Sequence, residues 1–191
     1  MKRFVVLLFS VLVMTLLNAQ GVEYKSLLEA SKASPDSVFN LNLSKKKLSV
    51  FPEEILLYKN LETLNLSKNQ LTKIPMSLAK LVNLKVLIVE KNNLIYFPIA
   101  ICSMPSIREL YLGRNNIGSI PECIGQAVNI ERVDLWDNPL SNLPNQIQNL
   151  SSLNWIDLRG INFSNSQQQR LKALIPWVTI EFSAGCDCHG P

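Results

Sequence analysis

The stretch LETLNLSKNQLTKIP (residues 61–75) decides the fold, because IRELYLGRNNIGSIP (residues 107–121) repeats it position by position. A fixed spacing of 23 residues links the first positions of five such units. These positions are Leu61, Leu84, Ile107, Ile130 and Leu153, and prolines recur at the same interval at Pro52, Pro75, Pro98, Pro121 and Pro144. A period of this length is typical of a stacked array, in which no single unit can bury its own apolar face.

Each unit begins with a short predicted strand. Apolar residues occupy the first, fourth and sixth places, such as Leu61, Leu64 and Leu66, and the last two alternate with polar neighbours. This period of two predicts a half-buried strand. In four units the ninth place is an amide: Asn69, Asn92, Asn115 and Asn138. An Asn can satisfy the unpaired backbone groups of a tight bend, so we interpret this column as structural, with one amide per layer.

The pattern LxxLxLxxNxLxxhP resembles the leucine-rich repeat family and is most similar to its 23-residue typical, Ras-suppressor-like type. The resemblance covers residues 38–163, or six units. It implies an α/β repeat fold, a leucine-rich repeat solenoid shaped as a short curved horseshoe. A parallel sheet would line the concave side, with irregular or helical segments on the convex side and helical caps at the ends. Lys46 and Ile161 stand where Asn is expected. Such departures are typical of the terminal units that close an open stack.

Capping segments are predicted on both sides of the repeats. Ser26 and Glu29 have the spacing of a capping box, which predicts a short helix over the edge of the first unit. Ser164 and Gln167 have the same spacing, and Pro176 stops the helix that they begin. The run WVTIEF that follows is typical of a closing strand.

The N-terminus has the composition of an export signal. Lys2 and Arg3 precede a largely apolar run over residues 4–17, and Ala19 offers a small residue for cleavage. The run is short for a membrane span, which takes ~20 residues. An uncleaved anchor is the alternative, since Leu17 is bulky for its place before the cleavage site. We expect a protein that is secreted or located in the periplasm or cell envelope.

The predicted organisation is a signal peptide (residues 1–19), an N-terminal cap (20–37), six leucine-rich repeats (38–163), a C-terminal helix-strand cap (164–183) and a Cys-containing tail (184–191). Cleavage leaves 17 Lys and Arg against 15 Asp and Glu. This balance is too even to indicate nucleic acid or an anionic membrane as partner. We expect a monomer that does not insert into a membrane after cleavage.

Two cysteines fall within the repeats, and an exported chain allows them to form a disulfide. Cys102 and Cys123 lie on adjacent convex segments, and neighbouring layers of a parallel stack are ~5 Å apart. A bond is therefore geometrically possible, but the two side chains can also diverge. The alternative is a pair of small buried hydrophobic residues. The sequence leaves both open.

The tail GCDCHGP places two thiols and the single imidazole, Cys186, Cys188 and His189, within four residues. Such a set is a weak candidate for copper or zinc. However, the usual zinc spacing is C-x2-4-C, and a closed site needs a fourth ligand. A local disulfide or a flexible tail is the alternative. We predict no metal site and no cofactor.

Catalysis is not indicated. His189 is the only histidine, so no Ser-His-Asp or Cys-His pair can be assembled in the repeats. The sequence also has no Gly-rich phosphate loop. We therefore predict a non-enzymatic binding module.

The resemblance implies which side chains the concave face presents: those at the second, third, fifth, seventh, eighth and tenth places. Early units offer small hydrophilic residues at these places: Asn42, Ser44, Asn65, Ser67 and Lys68. Later units offer the residue types that dominate interface hot spots. We predict a partner-binding patch of Tyr111, Arg132, Trp136 and Trp155, surrounded by Arg108, Arg114, Asp134 and Asp137.

Within this patch Arg132 shares a column with Trp155 and is predicted to stack on it. The alternative is that both Trp136 and Trp155 only cover neighbouring side chains of the last units. The spread of the patch over four units favours a protein ligand. A carbohydrate or cell-wall glycan bound by the concave aromatics is the second hypothesis. An intracellular scaffold is the third, if the signal is misread.

Overall fold

The computed structural model describes residues 21–183, in which every repeat contributes one strand to a single parallel sheet. The eight strands follow one another in chain order: β1 Glu23–Tyr24, β2 Asn40–Asn42, β3 Thr63–Asn65, β4 Val86–Ile88, β5 Glu109–Tyr111, β6 Arg132–Asp134, β7 Trp155–Asp157 and β8 Thr179–Glu181. The register keeps the 23-residue period, so that Leu64 pairs with Leu87 and Leu87 with Leu110. The predicted solenoid with a parallel sheet is confirmed.

Short 3-10 helices form the opposite side of each layer: η1 Pro35–Ser37, η2 Glu53–Leu57, η3 Met76–Lys80, η4 Ile99–Ser103, η5 Glu122–Gln126 and η6 Asn145–Asn149. The periodic prolines stand immediately before η2 to η6 in extended conformation. Proline fits this position because its φ is fixed and a helix start needs no N–H donor there. The periodic prolines therefore mark where each convex helix begins.

The core lies between the sheet and these helices. It is a column of aliphatic side chains in which the strand residues Leu64, Leu87 and Leu110 are fully buried. On the helix side Leu78 and Ile101 are fully buried as well. No buried polar side-chain atom within residues 21–183 lacks a hydrogen-bond partner. The stack therefore buries apolar surface without orphaned polar groups.

The Asn column joins successive layers, as predicted. The Nδ2 of Asn92 donates to the carbonyl oxygens of Leu66 (2.9 Å) and Val89 (3.1 Å), and its Oδ1 accepts from the N–H of Leu71 (3.0 Å). Asn69, Asn115 and Asn138 are buried in the same way. Because one side chain serves backbone groups of two layers, each amide locks a repeat to its predecessor.

The residue at the eighth place of each unit, just before the place of the Asn column, turns the chain with a positive φ. The angle is 55° to 59° at Lys45, Lys68, Lys91, Arg114 and Asp137, and Gly160 takes 73° at the same place. Residues other than Gly, Asn and Asp rarely adopt this left-handed backbone conformation. The eighth place is therefore a defined surface column of identical backbone conformation.

The ends are closed largely as predicted. Helix α1 (Leu27–Ala30) begins at Ser26, whose hydroxyl accepts from the N–H of Glu29 at 3.1 Å. Helix α2 (Asn165–Leu174) begins with a complete capping box, and β8 then pairs with β7. The strand β1, which pairs with β2 ahead of the first repeat, was not predicted. It extends the sheet by one layer on the N-terminal side.

The predicted signal peptide (1–19) and the tail (184–191) lie outside the described residues. Between residues 21 and 183 no helix is both long and apolar enough to cross a membrane.

Candidate interaction face

Two Arg–Trp stacks mark the C-terminal half of the concave face. The guanidinium carbon of Arg132 lies 4.4 Å from the ring centroid of Trp155, its partner in the register of β6 and β7. Arg114 covers Trp136 in the same way at 4.8 Å. The predicted stacking of Arg132 on Trp155 is confirmed, and the second stack is an addition that the sequence analysis missed. In each case an arginine of one layer covers a tryptophan of the next.

Tyr111 lies on β5, in the same layer as Arg114 and one layer before Trp136. Its hydroxyl donates to Oε2 of Glu109 at 2.6 Å, and the register places it opposite Asp134. Burial raises the pKa of the Tyr111 hydroxyl, and its hydrogen bond to Glu109 raises it further. The ring is therefore held on the sheet by its neighbour, with the phenol protonated at neutral pH.

Carboxylates at the fifth place of the repeat unit accept hydrogen bonds from the backbone of the concave face. Oδ1 of Asp134 accepts from the N–H of Trp136 at 2.8 Å, and burial raises the pKa of this carboxyl. Gly113 allows the close approach, since a Cβ there would lie 3.0 Å from the same Oδ1. The fixed Asp134 in turn orients the backbone that carries Trp136.

Asp157 is a residue of this face that the sequence analysis missed. It is almost fully buried, and Nη2 of Arg159 binds its Oδ2 at 2.6 Å. Its Oδ1 also accepts from the N–H of Arg159 at 2.9 Å. The signal was its place in the unit, because Asn42 and Asn65 accept from the N–H two residues on in the same way.

The charged residues predicted around the patch separate into two groups. Arg114 pairs with Asp137 at 3.2 Å beside Trp136, and both side chains are half exposed. Arg108 lies before the start of β5, where its Nη1 donates to the carbonyl oxygens of Ile107 (3.2 Å) and Pro105 (3.3 Å). Arg114 and Asp137 thus belong to the Trp136 stack, whereas Arg108 binds its own flank and pairs with Glu131 of the next layer at 3.6 Å.

One expectation for the early units is wrong. Ser67 was predicted to be presented on the concave face, but it is buried. Its backbone N–H donates to Oδ1 of Asn65 at 2.9 Å, so the short side chain lies low in the turn after β3. The early units therefore present mainly Asn amides and lysines.

A shallow polar trough of about 680 Å³ runs along the loop edge beside the Arg114–Trp136 stack. Its lining includes Asn93, Arg114, Asn116, Asp137 and Asn162. Carboxamides both donate and accept hydrogen bonds, so this edge suits polar groups of a ligand that rests on the concave face.

The two cysteines of the repeats are bonded to each other. The Cys102–Cys123 disulfide joins η4 to η5, with the two Cα atoms 5.6 Å apart. The open alternative of two separate buried thiols is therefore excluded. The described residues contain no group of three or more His, Cys, Asp or Glu that could hold a metal ion. The weak candidates Cys186, Cys188 and His189 lie outside them.

Comparisons with known proteins agree with this geometry. Residues 59–117 match the family model described as Leucine rich repeat. A leucine-rich repeat protein of Leptospira interrogans is 29% identical with a TM-score of 0.62, over 77% of this chain and 43% of that one. The leucine-rich repeat ectodomain of the plant receptor kinase GASSHO1/SCHENGEN3 from Arabidopsis thaliana, in complex with Casparian strip integrity factor 2, is 29% identical. There the TM-score is 0.61, over 79% of this chain and 19% of the ectodomain.

Internalin C2 from Listeria monocytogenes shares the fold at 18% identity, with a TM-score of 0.67 over 83% of this chain and 66% of the internalin. The chain thus spans less than half of the length of the first two proteins. No curated protein sequence matches it. The stacked 23-residue units, the parallel sheet and these similarities show that the described residues have the solenoid fold of leucine-rich repeat proteins, and residues 59–117 resemble that family in sequence.

Proposed function

We propose that this chain is an exported, non-catalytic module that recognises another protein through the C-terminal half of its concave face. The observation that carries the proposal is the pair of Arg–Trp stacks on adjacent layers. Arg and Trp are enriched among the residues that dominate protein interfaces, and a central cluster of them is typical of a hot spot. Leucine-rich repeat domains typically mediate protein binding, which agrees with this assignment.

The stacks also support binding because they hold the aromatic side chains ready. A guanidinium that lies over an indole restricts the rotamers of both residues before a partner arrives. Binding then loses less side-chain entropy than it would with free side chains. Arg132 and Trp155 are both only partly buried, so the stack remains open to a partner on its outer side.

The same geometry favours a protein over a neutral glycan bound by the aromatics. Sugars stack on the open faces of indole rings, whereas Arg114 and Arg132 cover one face of Trp136 and Trp155. Two aspartates of the C-terminal half, Asp134 and the half-exposed Asp137, add negative charges beside these arginines. A surface that mixes both signs with aromatic rings suits the mixed polarity of a protein partner.

Export is supported by the disulfide and by the N-terminal sequence. Cys102 and Cys123 are bonded, and stable disulfides are typical of oxidising compartments outside the cytosol. The segment before residue 20 has the order of a signal peptide. Intact-mass measurement on the native protein should show residues 1–19 removed. A native mass that includes them would contradict export by cleavage.

The binding face is tested with tryptophan substitutions. The partner is first captured by cross-linking purified mature protein to extracellular and envelope proteins, and its affinity is then measured by titration calorimetry. Trp136→Ala and Trp155→Ala should each weaken binding by about 2 kcal/mol, because each removes a stacked anchor. Trp177→Ala is the matched control, since Trp177 is half exposed in the turn between α2 and β8 of the C-terminal cap, outside the Arg–Trp stacks.

Circular dichroism and the unfolding midpoint must show that all variants remain folded. Asn65→Ala, in an early unit of the same face, should change affinity much less. If the Trp136→Ala/Trp155→Ala double variant is folded and binds as the wild type does, the stacks serve packing only and the proposal fails.

A further inference from the structure

A column of lysines occupies the loop edge of the N-terminal half. Lys45, Lys68 and Lys91 take the eighth place of the first three units, all exposed and with φ of 59°, 57° and 55°. We name these three residues the lysine ladder. Because their backbone conformations are the same, successive layers place three ammonium groups in one row at a spacing of ~5 Å.

The ladder is not neutralised by the protein itself. The ion pairs found among residues 21–183 use Lys85, Arg108, Arg114 and Arg159, and none uses a ladder lysine. Lys46 and Lys47 add two more exposed cations in the first layer. From the seventh to the tenth place of these three units, Glu90 is the single acid. The local charge is therefore strongly positive, although the net charge of the chain is small.

The lysine ladder ends one layer before the first Arg–Trp stack. At the same place in the next unit Arg114 is paired with Asp137, and the following units carry Asp137 itself and then Gly160. Glycine or Asn would fit the left-handed turn with less strain than lysine. Three consecutive layers nevertheless place a cation there, in a row that like-charge repulsion disfavours unless an anion lies against it.

The spacing of the row selects among polyanions. In an extended acidic peptide, side chains on one face repeat every second residue, about 6.6 Å, and lose register with the layers. An extended pyranose chain advances by about one strand spacing per sugar and turns alternate sugars to opposite sides, so acidic groups on one side recur about every second layer and keep register. Single-stranded nucleic acid also needs aromatic platforms for its bases. Phe39, at the second place of the first unit, is the single aromatic residue at the second to tenth places of these three units, so no row of aromatic platforms accompanies the ladder.

We propose that the lysine ladder binds a linear sulfated polysaccharide, whose acidic groups lie against the ammonium groups of the ladder. The site uses none of the residues of the Arg–Trp stacks and lies on the other half of the solenoid, where Lys91 is one layer before Arg114. Binding is electrostatic and releases counterions from the polysaccharide, so it weakens as salt concentration rises.

The test uses a size-defined heparin oligosaccharide as the probe and its desulfated counterpart as reference. The ladder variant is Lys68→Asn/Lys91→Asn, because Asn removes the charge and fits the left-handed turn. The matched control is Lys32→Asn/Lys59→Asn, which removes two exposed charges outside the strands and the ladder. Dissociation constants are measured by titration over a range of salt concentrations.

The wild type should bind the sulfated probe and not the desulfated one. The ladder variant should bind about tenfold more weakly, and its salt slope should fall by about two, one for each removed contact. The control should stay within twofold of the wild type in affinity. Trp155→Ala, which leaves the ladder and Arg114 in place, should leave heparin binding unchanged, which separates this site from the proposed protein-binding face.

Three results would overturn the proposal. The first is equal weakening by the ladder and control variants, which would mean nonspecific attraction. The second is equal affinity for the sulfated and desulfated probes. The third is equal or tighter binding, at matched charge, of single-stranded DNA, a poly-glutamate peptide or anionic vesicles, which would assign the ladder to a different class of ligand.

Discussion

The N-terminal and C-terminal halves of this solenoid share one interior and differ in what they expose. Residues 38–106 and residues 107–163 each contain three units with the same buried strand positions and the same register. On the concave side the first half presents Asn amides, the apolar Val86 and Ile88, and the lysine ladder. The second presents two Arg–Trp stacks, beside the partly buried Asp134 and the buried Asp157. Stacking therefore constrains the interior places, whereas the surface places are free to acquire different ligands.

The disulfide stands at the boundary of these halves, because Cys102 belongs to the third unit and Cys123 to the fourth. Cys102→Ala/Cys123→Ala should lower the free energy of unfolding by about 3 kcal/mol, since a closed loop of this length strongly restricts the unfolded chain. Denaturant unfolding with and without reductant measures the change. The wild type under reductant should lose about the same amount, and the variant should not respond to reductant. An unchanged midpoint in both would mean that non-covalent packing alone joins the halves.

The Asn column tests whether the interior is equivalent in both halves. Asn92→Ala and Asn115→Ala should each destabilise the protein by about 1–3 kcal/mol, because each leaves buried backbone groups of two layers unpaired. Asn116→Ala removes an exposed amide next in sequence and should have almost no effect. Chemical denaturation with a common m-value is the measurement. A large difference between the two buried positions would show that the halves are not equivalent.

Regular features of the fold could be predicted from the sequence because they depend on spacing alone. Leu64 and Asn92 stand in columns that repeat every 23 residues, and only a parallel stack satisfies all of them at once. The pairing of Arg132 with Trp155 could be predicted for the same reason, since both occupy the third place.

Features that depend on side-chain direction could not be predicted in this way. Arg114 covers a tryptophan of the next unit, and the two residues occupy different places in their units. Nothing in the spacing specifies the rotamer of Arg114. The spacing predicts that Cys102 and Cys123 lie on adjacent layers, which is correct. Whether they form a bond depends on the direction of their Cβ atoms, which the spacing does not specify. Strand β1 has two residues, too short to show a period.

The smallest expected effect concerns a direct difference between the halves at the fifth place. Asn42 and Asn65 accept a backbone N–H there in the early units, and Asp134 does so in the fifth. Asp134→Asn keeps the acceptor and removes a partly buried charge. Burial raises the pKa of Asp134 above its ordinary 3.8, so the folded state binds the proton more tightly than the unfolded chain. Stability therefore falls as pH rises through the ordinary pKa towards the raised one.

It follows that Asp134→Asn should raise the melting temperature at pH 7, by less than about 3 °C in a domain of this size. The gain should disappear well below the ordinary pKa of 3.8, where the carboxyl is protonated in both states and no longer differs in charge from the amide. Thermal unfolding of both proteins across this pH range measures the difference. The exposed Asp36→Asn is the control and should show no such gain. A gain that persists unchanged at low pH would mean that the amide acts through packing or hydrogen-bond geometry. The carboxylates of the C-terminal half would then not carry the desolvation that distinguishes it from the N-terminal half.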